Sequence, residues 1–342
     1  MLTIIKIITC IYIYYIHVIM GTRKRTKTKI KIKTKTTTTI TRKYNRRHSH
    51  KIKHSGSRSR SRLSLRGGTL IGQGNYGCVF RPDILTKNNS LVSKVVLRNN
   101  IFNEFRHEYK ILKKMKTIDP AGKFHSVVSS AFELTKNNLP NDFDKCSLSK
   151  PDYKVDEFFV FNIKYCGDTN LESYLTGSSG ASVCSDKEKL AIIFTLIANI
   201  VVGIYKMMKS NIVHKTLNAD SIYFNEPLSL STTPYALKII DFGEGELRKY
   251  KNHEDSNHDY IAFFKSMIDI LTMTQGKDQN KTIDLLLDGF ETLLQDVTKI
   301  SESEPKSVSS YRTIVTKYSD MLGDIFGEKY KKYALEKYKV TA

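Results

Sequence analysis

The stretch Ile71-Gly-Gln-Gly-Asn-Tyr-Gly-Cys-Val-Phe80 decides how this chain is read. Its glycines fall at Gly72, Gly74 and Gly77, and Val79 follows two residues later. Glycine lets backbone amides approach a phosphate closely, and Val79 supplies an apolar cover for a flat base. A dinucleotide fold would set such glycines in a strand–turn–helix. Here β-type sequence continues on the far side of the glycines, which predicts a hairpin.

Working outward, Lys94 lies within Val92-Ser-Lys-Val-Val-Leu97. A lysine in a β-branched strand is unusual unless its ammonium has a partner or faces solvent. Residues 101–116 (IFNEFRHEYKILKKMK) have helical spacing, with Phe102, Phe105, Ile111 and Leu112 as the buried stripe. A helix packed over the sheet brings Glu108 to Lys94, and Glu104, one turn earlier, is the alternative partner. Leu237-Lys-Ile-Ile-Asp-Phe-Gly243 then places Asp241 after an apolar strand and before a glycine. A carboxylate at a strand end is a common way to hold Mg²⁺ against phosphate.

Taken in order, these segments resemble the eukaryotic-type protein kinase fold over roughly residues 68–330. The resemblance implies an ATP site in which Ile71, Gly72, Gly74, Tyr76, Gly77 and Val79 cover the nucleotide. It implies that Lys94 grips the phosphates, Glu108 orients Lys94, and Asp241 binds Mg²⁺. Phe159–Cys166 resembles the fifth strand and hinge, with Ile163 as gatekeeper and Lys164–Gly167, Tyr165 among them, facing the adenine. Asp259 in DYIAFFKSMIDIL resembles the buried Asp that opens the long helix of the larger lobe. The text ILKKMKTIDPAGKF and the basic leader resemble, more loosely, kinase-like proteins of large DNA viruses.

The catalytic loop departs from the family. Members read His-Arg-Asp-Leu-Lys-Pro-x-Asn-Ile, and this chain reads His214-Lys-Thr-Leu-Asn-Ala-Asp-Ser-Ile222. Thr216 thus stands where the catalytic Asp is expected, Asn218 where the Lys is, and Ser221 where the Mg²⁺-binding Asn is. A Thr hydroxyl cannot accept a proton at neutral pH, and losing a positioned general base costs about 10²–10⁴-fold in rate. Ser221 still offers an oxygen to Mg²⁺, and Asp220 beside it is a further candidate ligand or base. Only 15 residues separate Gly243 from Asp259, and no Ala-Pro-Glu appears, so the segment that docks a peptide substrate is reduced.

The remaining elements fit two lobes. Short strands are expected over 69–100, near Val127–Leu134, and at 157–166, Ile222–Phe224 and Leu237–Ile240. Helices are expected at 187–209, 259–274, 281–298 and 307–325. The fold class is α+β: a bilobal kinase-like fold, 67–166 β-rich with one main helix and 167–342 helical, behind a disordered basic leader.

Charge locates that leader. The chain has 342 residues, 55 Lys+Arg against 34 Asp+Glu and a net charge of +21. Residues 1–66 hold 19 of the basic residues and no acidic one, so residues 67–342 carry only +2. A domain-wide nucleic-acid face is therefore not indicated. Residues 21–66 alternate Lys with Thr, then become Arg/His-rich and end in SGSRSRSR, a composition that cannot order itself. They suit an anionic membrane surface or nucleic-acid phosphates as partner, or serve only as a solvated leader. Residues 2–20 (LTIIKIITCIYIYYIHVIM) are apolar enough for a membrane anchor within residues 1–20, which would leave the rest cytoplasmic-facing. The alternative is translation from Met20.

Five cysteines (Cys10, Cys78, Cys146, Cys166, Cys184) without a Cys-x-x-Cys pair exclude a zinc ribbon and argue against a disulfide scaffold, so a reducing compartment is expected. Three functions follow: an ATP/Mg²⁺-binding pseudokinase acting through a protein partner, an active Ser/Thr kinase with an atypical loop, or a tether that uses the kinase fold as scaffold.

Overall fold

The β-branched and aromatic runs on either side of the Gly-rich stretch come together in one antiparallel sheet. Its strands are β1 (Thr69–Gly74), β2 (Gly77–Arg81), β3 (Leu91–Leu97), β4 (Val128–Thr135) and β5 (Glu157–Lys164), in the order β1-β2-β3-β5-β4. The computed structural model describes residues 68–74, 77–98, 104–135, 138–149, 157–178, 183–248, 257–275, 280–302 and 308–338. The anchor, leader and Tyr76 expectations lie outside the described residues.

Alternation along the strands sends side chains to two different cores. Val95, Phe158 and Val160 face a cluster with Cys78, Phe80, Phe143 and Leu148. Val96 and Phe161 face the opposite way, onto helix α1 (Glu104–Ile118) through Ile111, Leu112 and Met115. The expected stripe therefore holds at Ile111 and Leu112. Phe102 and the side chain of Phe105 lie outside the described residues. The sheet is covered on both faces, which explains why strand β5 carries the continuous apolar run Phe158–Phe161 rather than a strict alternation.

The second cover corrects the cysteine reading. Residues 141–149 carry two short 3-10 turns, Asn141–Lys145 and Ser147–Ser149, that lie over the sheet. There a disulfide joins Cys78 to Cys146, across a sequence separation of 68. Spacing along the chain missed it because the partner comes from a loop folded back onto β2. Disulfides are commoner in oxidising than in reducing surroundings. Cys166 is free.

After the sheet come β6 (Thr169–Asn170) and α2 (Leu171–Thr176), a short helix that the sequence pattern did not announce. Asn170 caps α2 by accepting from Ser173 N–H, and Gly177 ends it in the left-handed region at φ 72°. Helix α3 (Lys187–Lys209) matches its expected bounds and is apolar nearly all round. It is long and apolar enough to cross a membrane by composition, yet 89% of that window is buried in the fold, as suits a core helix. Helices α4 (His258–Gln275), α5 (Lys281–Glu302), α6 (Arg312–Phe326) and α7 (Glu328–Lys337) follow. Helices α6 and α7 pack on α3, and α4 packs on α5. Helix α6 begins later than expected because Val308–Tyr311 forms a 3-10 turn, and α7 was not anticipated.

Small strand pairs carry the intervening loops. Strand β7 (Ile212–Val213) pairs with β10 (Glu246–Leu247), and β8 (Ile222–Phe224) lies between β6 and β9 (Lys238–Ile239). Residues 60–342 form one compact unit of mixed helix and antiparallel sheet.

Candidate functional site

Lys94 is on the face of β3 that looks at α1, since Val92, Lys94 and Val96 alternate with Ser93 and Val95. Its Nζ lies 2.8 Å from Glu108 Oε1 and 2.8 Å from Asp241 Oδ1. The structure thus brings together the three residues expected to act jointly, and the strand lysine has two carboxylate partners. Glu108 is a partner on α1, and the Glu104 side chain lies outside the described residues. Side-chain exposure is 12% for Lys94, 5% for Glu108 and 62% for Asp241, so the cluster is buried at one end and open at the other. Burial opposes the Lys94 charge, but the Glu108 and Asp241 carboxylates overcome it and hold the ammonium above its ordinary range. Burial likewise disfavours the Asp241 carboxylate, and the Lys94 charge overrides it, keeping that group below the usual range.

Asp241 is placed by strain as well as charge. It adopts φ 61°, in the left-handed region that a non-glycine residue occupies at a cost of order 1–3 kcal/mol. The residues around it fix this turn. Ile240 N–H donates to Ser221 O at 3.0 Å, His214 Nε2 donates to Ile240 O at 2.8 Å, and buried Phe242 packs 4.8 Å from the His214 ring.

His214 opens the loop that carries Thr216, Asn218, Asp220 and Ser221. Asp259, in the first turn of α4, accepts from His214 N–H at 2.8 Å and from Lys215 N–H at 2.9 Å. Asp259 is buried, as expected, and its two acceptor bonds set the loop backbone, with Lys215 at φ 72°. Thr216 is exposed, its Oγ1 3.5 Å from His214 Nδ1. Ser221 is buried, and its hydroxyl has Asn218 Oδ1 at 2.6 Å, Asp220 Oδ1 at 3.2 Å and Thr216 O at 3.3 Å. One hydroxyl proton serves one of these three oxygens at a time, so the pocket around Ser221 is rich in acceptors. Among the described residues no group of three or more His, Cys, Asp or Glu is assembled as a metal cage.

The glycine stretch is a β1–β2 hairpin, with Gly72 opposite Val79 and Gly74 opposite Gly77. A Cβ on Gly77 would lie 2.5 Å from Val95 O, so the strand contact itself requires glycine there. A Cβ on Gly72 or Gly74 would meet nothing within 4 Å. Those two positions border open space, the room an approaching ligand needs.

Beneath the hairpin is a cavity of about 300 Å³. Ile71, Gly72, Gly74, Gly77, Val79, Lys94, Glu108, Ile163, Tyr165 and Asp241 all line it. Tyr165 is fixed by the Arg81 guanidinium, 3.5 Å over its ring, and by its N–H donating to Ser90 O at 2.9 Å. Thr216 and Ser221 are not in the lining. Sequence reasoning missed Tyr223 on β8 and Ser126 before β4, which do line it. Neither belongs to a motif; only the fold of the segments before β4 and after α3 puts them there.

Two contacts tie the segment after Asp241 to its neighbours. His107 Nε2 meets Gly245 O at 2.9 Å, and Lys215 Nζ meets Glu246 Oε2 at 2.9 Å.

No family model matches the chain. No curated protein matches it either. Among solved structures, one described as WaaP in complex with acyl carrier protein aligns with 75% of this chain and 90% of that chain, at 11% identity and a TM-score of 0.42.

Proposed function

We propose that this chain is a bilobal kinase-fold protein that binds ATP with Mg²⁺ and transfers the γ-phosphate weakly or not at all. The observation that carries this reading is the Lys94 ammonium, 2.8 Å from both Glu108 and Asp241 at the edge of a cavity roofed by Gly72 and Gly74. A charged lysine held in this way is a ready partner for phosphate oxygens. The apolar lining from Ile71, Val79, Val92 and Ile163 suits a purine face.

Mg²⁺ keeps several waters and needs one or two carboxylates beside the phosphates of its substrate. The open Asp241 carboxylate fits that demand, and Ser221 and Asp220 are the further oxygens on the adjoining loop. When bound, the ion would neutralise phosphate charge. Thr216 is the reason for weak transfer. Its hydroxyl cannot take the proton of an attacking hydroxyl, and no carboxylate stands in its place. The second reading, an active kinase, draws on Asp220, whose exposed carboxylate shares the loop with Thr216. Residues 21–66 would add attachment to an anionic membrane or nucleic acid; their deletion should abolish salt-sensitive partitioning.

Two measurements test the proposal. Mg·ATP should raise the melting temperature of the wild-type protein and not of Lys94→Ala; no shift for wild type ends the nucleotide reading. Wild type should incorporate little γ-phosphate into protein, and Thr216→Asp should incorporate more. Robust transfer by wild type, lost in Lys94→Ala, would replace the pseudokinase reading with the active one.

A further inference from the structure

The glycine hairpin has two working faces. Gly77 and Val79 line the cavity, and Cys78 between them points the other way, into the cluster with Phe80 and Phe143. Cys78 stands directly opposite Gln73 on β1, so both side chains leave the hairpin on that outer face. There they meet consecutive residues of one segment. Cys78 is bonded to Cys146, and Gln73 Oε1 accepts from Ser147 N–H at 3.1 Å. The dipeptide Cys146-Ser147 therefore clips both strands of the hairpin, β2 by a covalent bond and β1 by a hydrogen bond.

Gln73 lies between Gly72 and Gly74, the two positions that border open space at the cavity. Glycine restrains a backbone least, so the clip acts on the stretch that has the most freedom to lose. The clipping segment has its own seat on the sheet. Phe143 packs against Phe80 and Phe158, and Cys146 N–H donates to Phe143 O at 3.0 Å. Breaking the bond between the sulfurs would leave this segment docked and remove the stronger half of the clip. The remaining Gln73 bond is worth about 5-fold in an equilibrium, little enough for the hairpin to lift. A roof that is already ordered binds its ligand more tightly, because binding no longer has to order it.

We infer that the Cys78–Cys146 bond is a redox control on the cavity roof: the oxidised chain holds Gly72–Gly74 in place for a ligand, and reduction by a dithiol releases them. This rests on the nucleotide-binding reading above and adds regulation to that site. The dithiol gives up two electrons and two protons. The bond between Cys78 and Cys146 breaks, both become thiols, and the reductant closes its own disulfide.

Calorimetric titration of the full chain with Mg·ATP, with and without dithiothreitol, tests this beside hydrogen exchange measured without nucleotide. The oxidised chain should bind about 10-fold more tightly than the reduced one, a usual size for coupling between two sites. Cys146→Ser should match the reduced wild type and ignore dithiothreitol. Over minutes, reduction should speed exchange in β1 and β2 and leave α3 protected, which reports a folded chain. Equal Kd values in the two states overturn the inference and leave the nucleotide reading standing. Exchange that speeds equally in the hairpin and in α3 makes the bond a general stabiliser and overturns it too. If neither state binds Mg·ATP, the nucleotide reading falls and exchange alone decides the clip. Faster exchange confined to the hairpin then upholds it, and unchanged exchange overturns it.

Discussion

His107 and Gly245 are 138 residues apart in sequence, and His107 Nε2 donates to the Gly245 carbonyl at 2.9 Å. A carbonyl only accepts, so the donor in this contact is the imidazole Nε2–H. The bond sits one residue before Glu108, and Gly245 also borders Ile111 of the same helix. The segment after Asp241 is thereby pinned to the helix that supplies the Lys94 partner. His107→Ala should weaken Mg·ATP binding by about 5-fold, the net worth of one hydrogen bond.

Glu108 is 5% exposed and depends on Lys94 for its compensating charge. Removing one partner of a buried pair costs about 3–5 kcal/mol, whereas replacing both with apolar groups is far less harmful. Lys94→Met should therefore lower unfolding free energy by about 3 kcal/mol in urea titrations. The double variant Lys94→Met/Glu108→Leu should recover most of that loss. Asp241 is 62% exposed, so its pairing with Lys94 is screened by solvent more than that of Glu108.

Asp119 follows α1 and is 4% exposed. Burial disfavours its charge, but bonds from His125 Nδ1 and the N–H groups of Phe124 and Lys123 overcome this and hold its pKa at about 2. The folded value lies below the unfolded one, so the stabilisation is present above about pH 4 and is lost as pH falls through about 2. It amounts to about 2 kcal/mol. Asp119→Asn should melt lower than wild type at pH 7, and the gap should close near pH 2.

The Cys78–Cys146 bond closes a loop with a sequence separation of 68. Cross-links of that span stabilise by about 2–4 kcal/mol, chiefly by restricting the unfolded chain. Dithiothreitol should lower the melting temperature, and Cys78→Ser should match the reduced wild type and then show no further response. Peptide mapping without reductant should recover the two cysteines in one linked species.

Much of this site was legible before any coordinates. The Gly72–Val79 hairpin, Lys94 and Asp241 are read from short local patterns whose chemistry constrains residue type closely. Glu108 stands first and Glu104 second as the partner of Lys94 in the sequence reading, and the structure sets Glu108 2.8 Å from Lys94 Nζ. What stayed hidden depends on chain reversal rather than local pattern. Ser126 and Tyr223 enter the cavity from segments with no motif, and Cys146 meets Cys78 only because residues 141–149 fold back over the sheet. Helices α2 and α7 were missed for another reason. The first is six residues long and the second is mostly polar, so neither shows a clear apolar period.

Helix α3 has a consequence for how the protein is made. It is the apolar centre of residues 60–342, and two of the helices that cover it, α6 and α7, come well after it in the chain. At about 5–20 residues per second, roughly 100 residues of synthesis separate α3 from α6, leaving its surface uncovered for about 5–20 s. A chain stopped before Arg312 should accumulate with chaperones or in aggregates, whatever its nucleotide site would have bound. The order of translation, and not only the final packing, sets how much of this protein reaches its folded form.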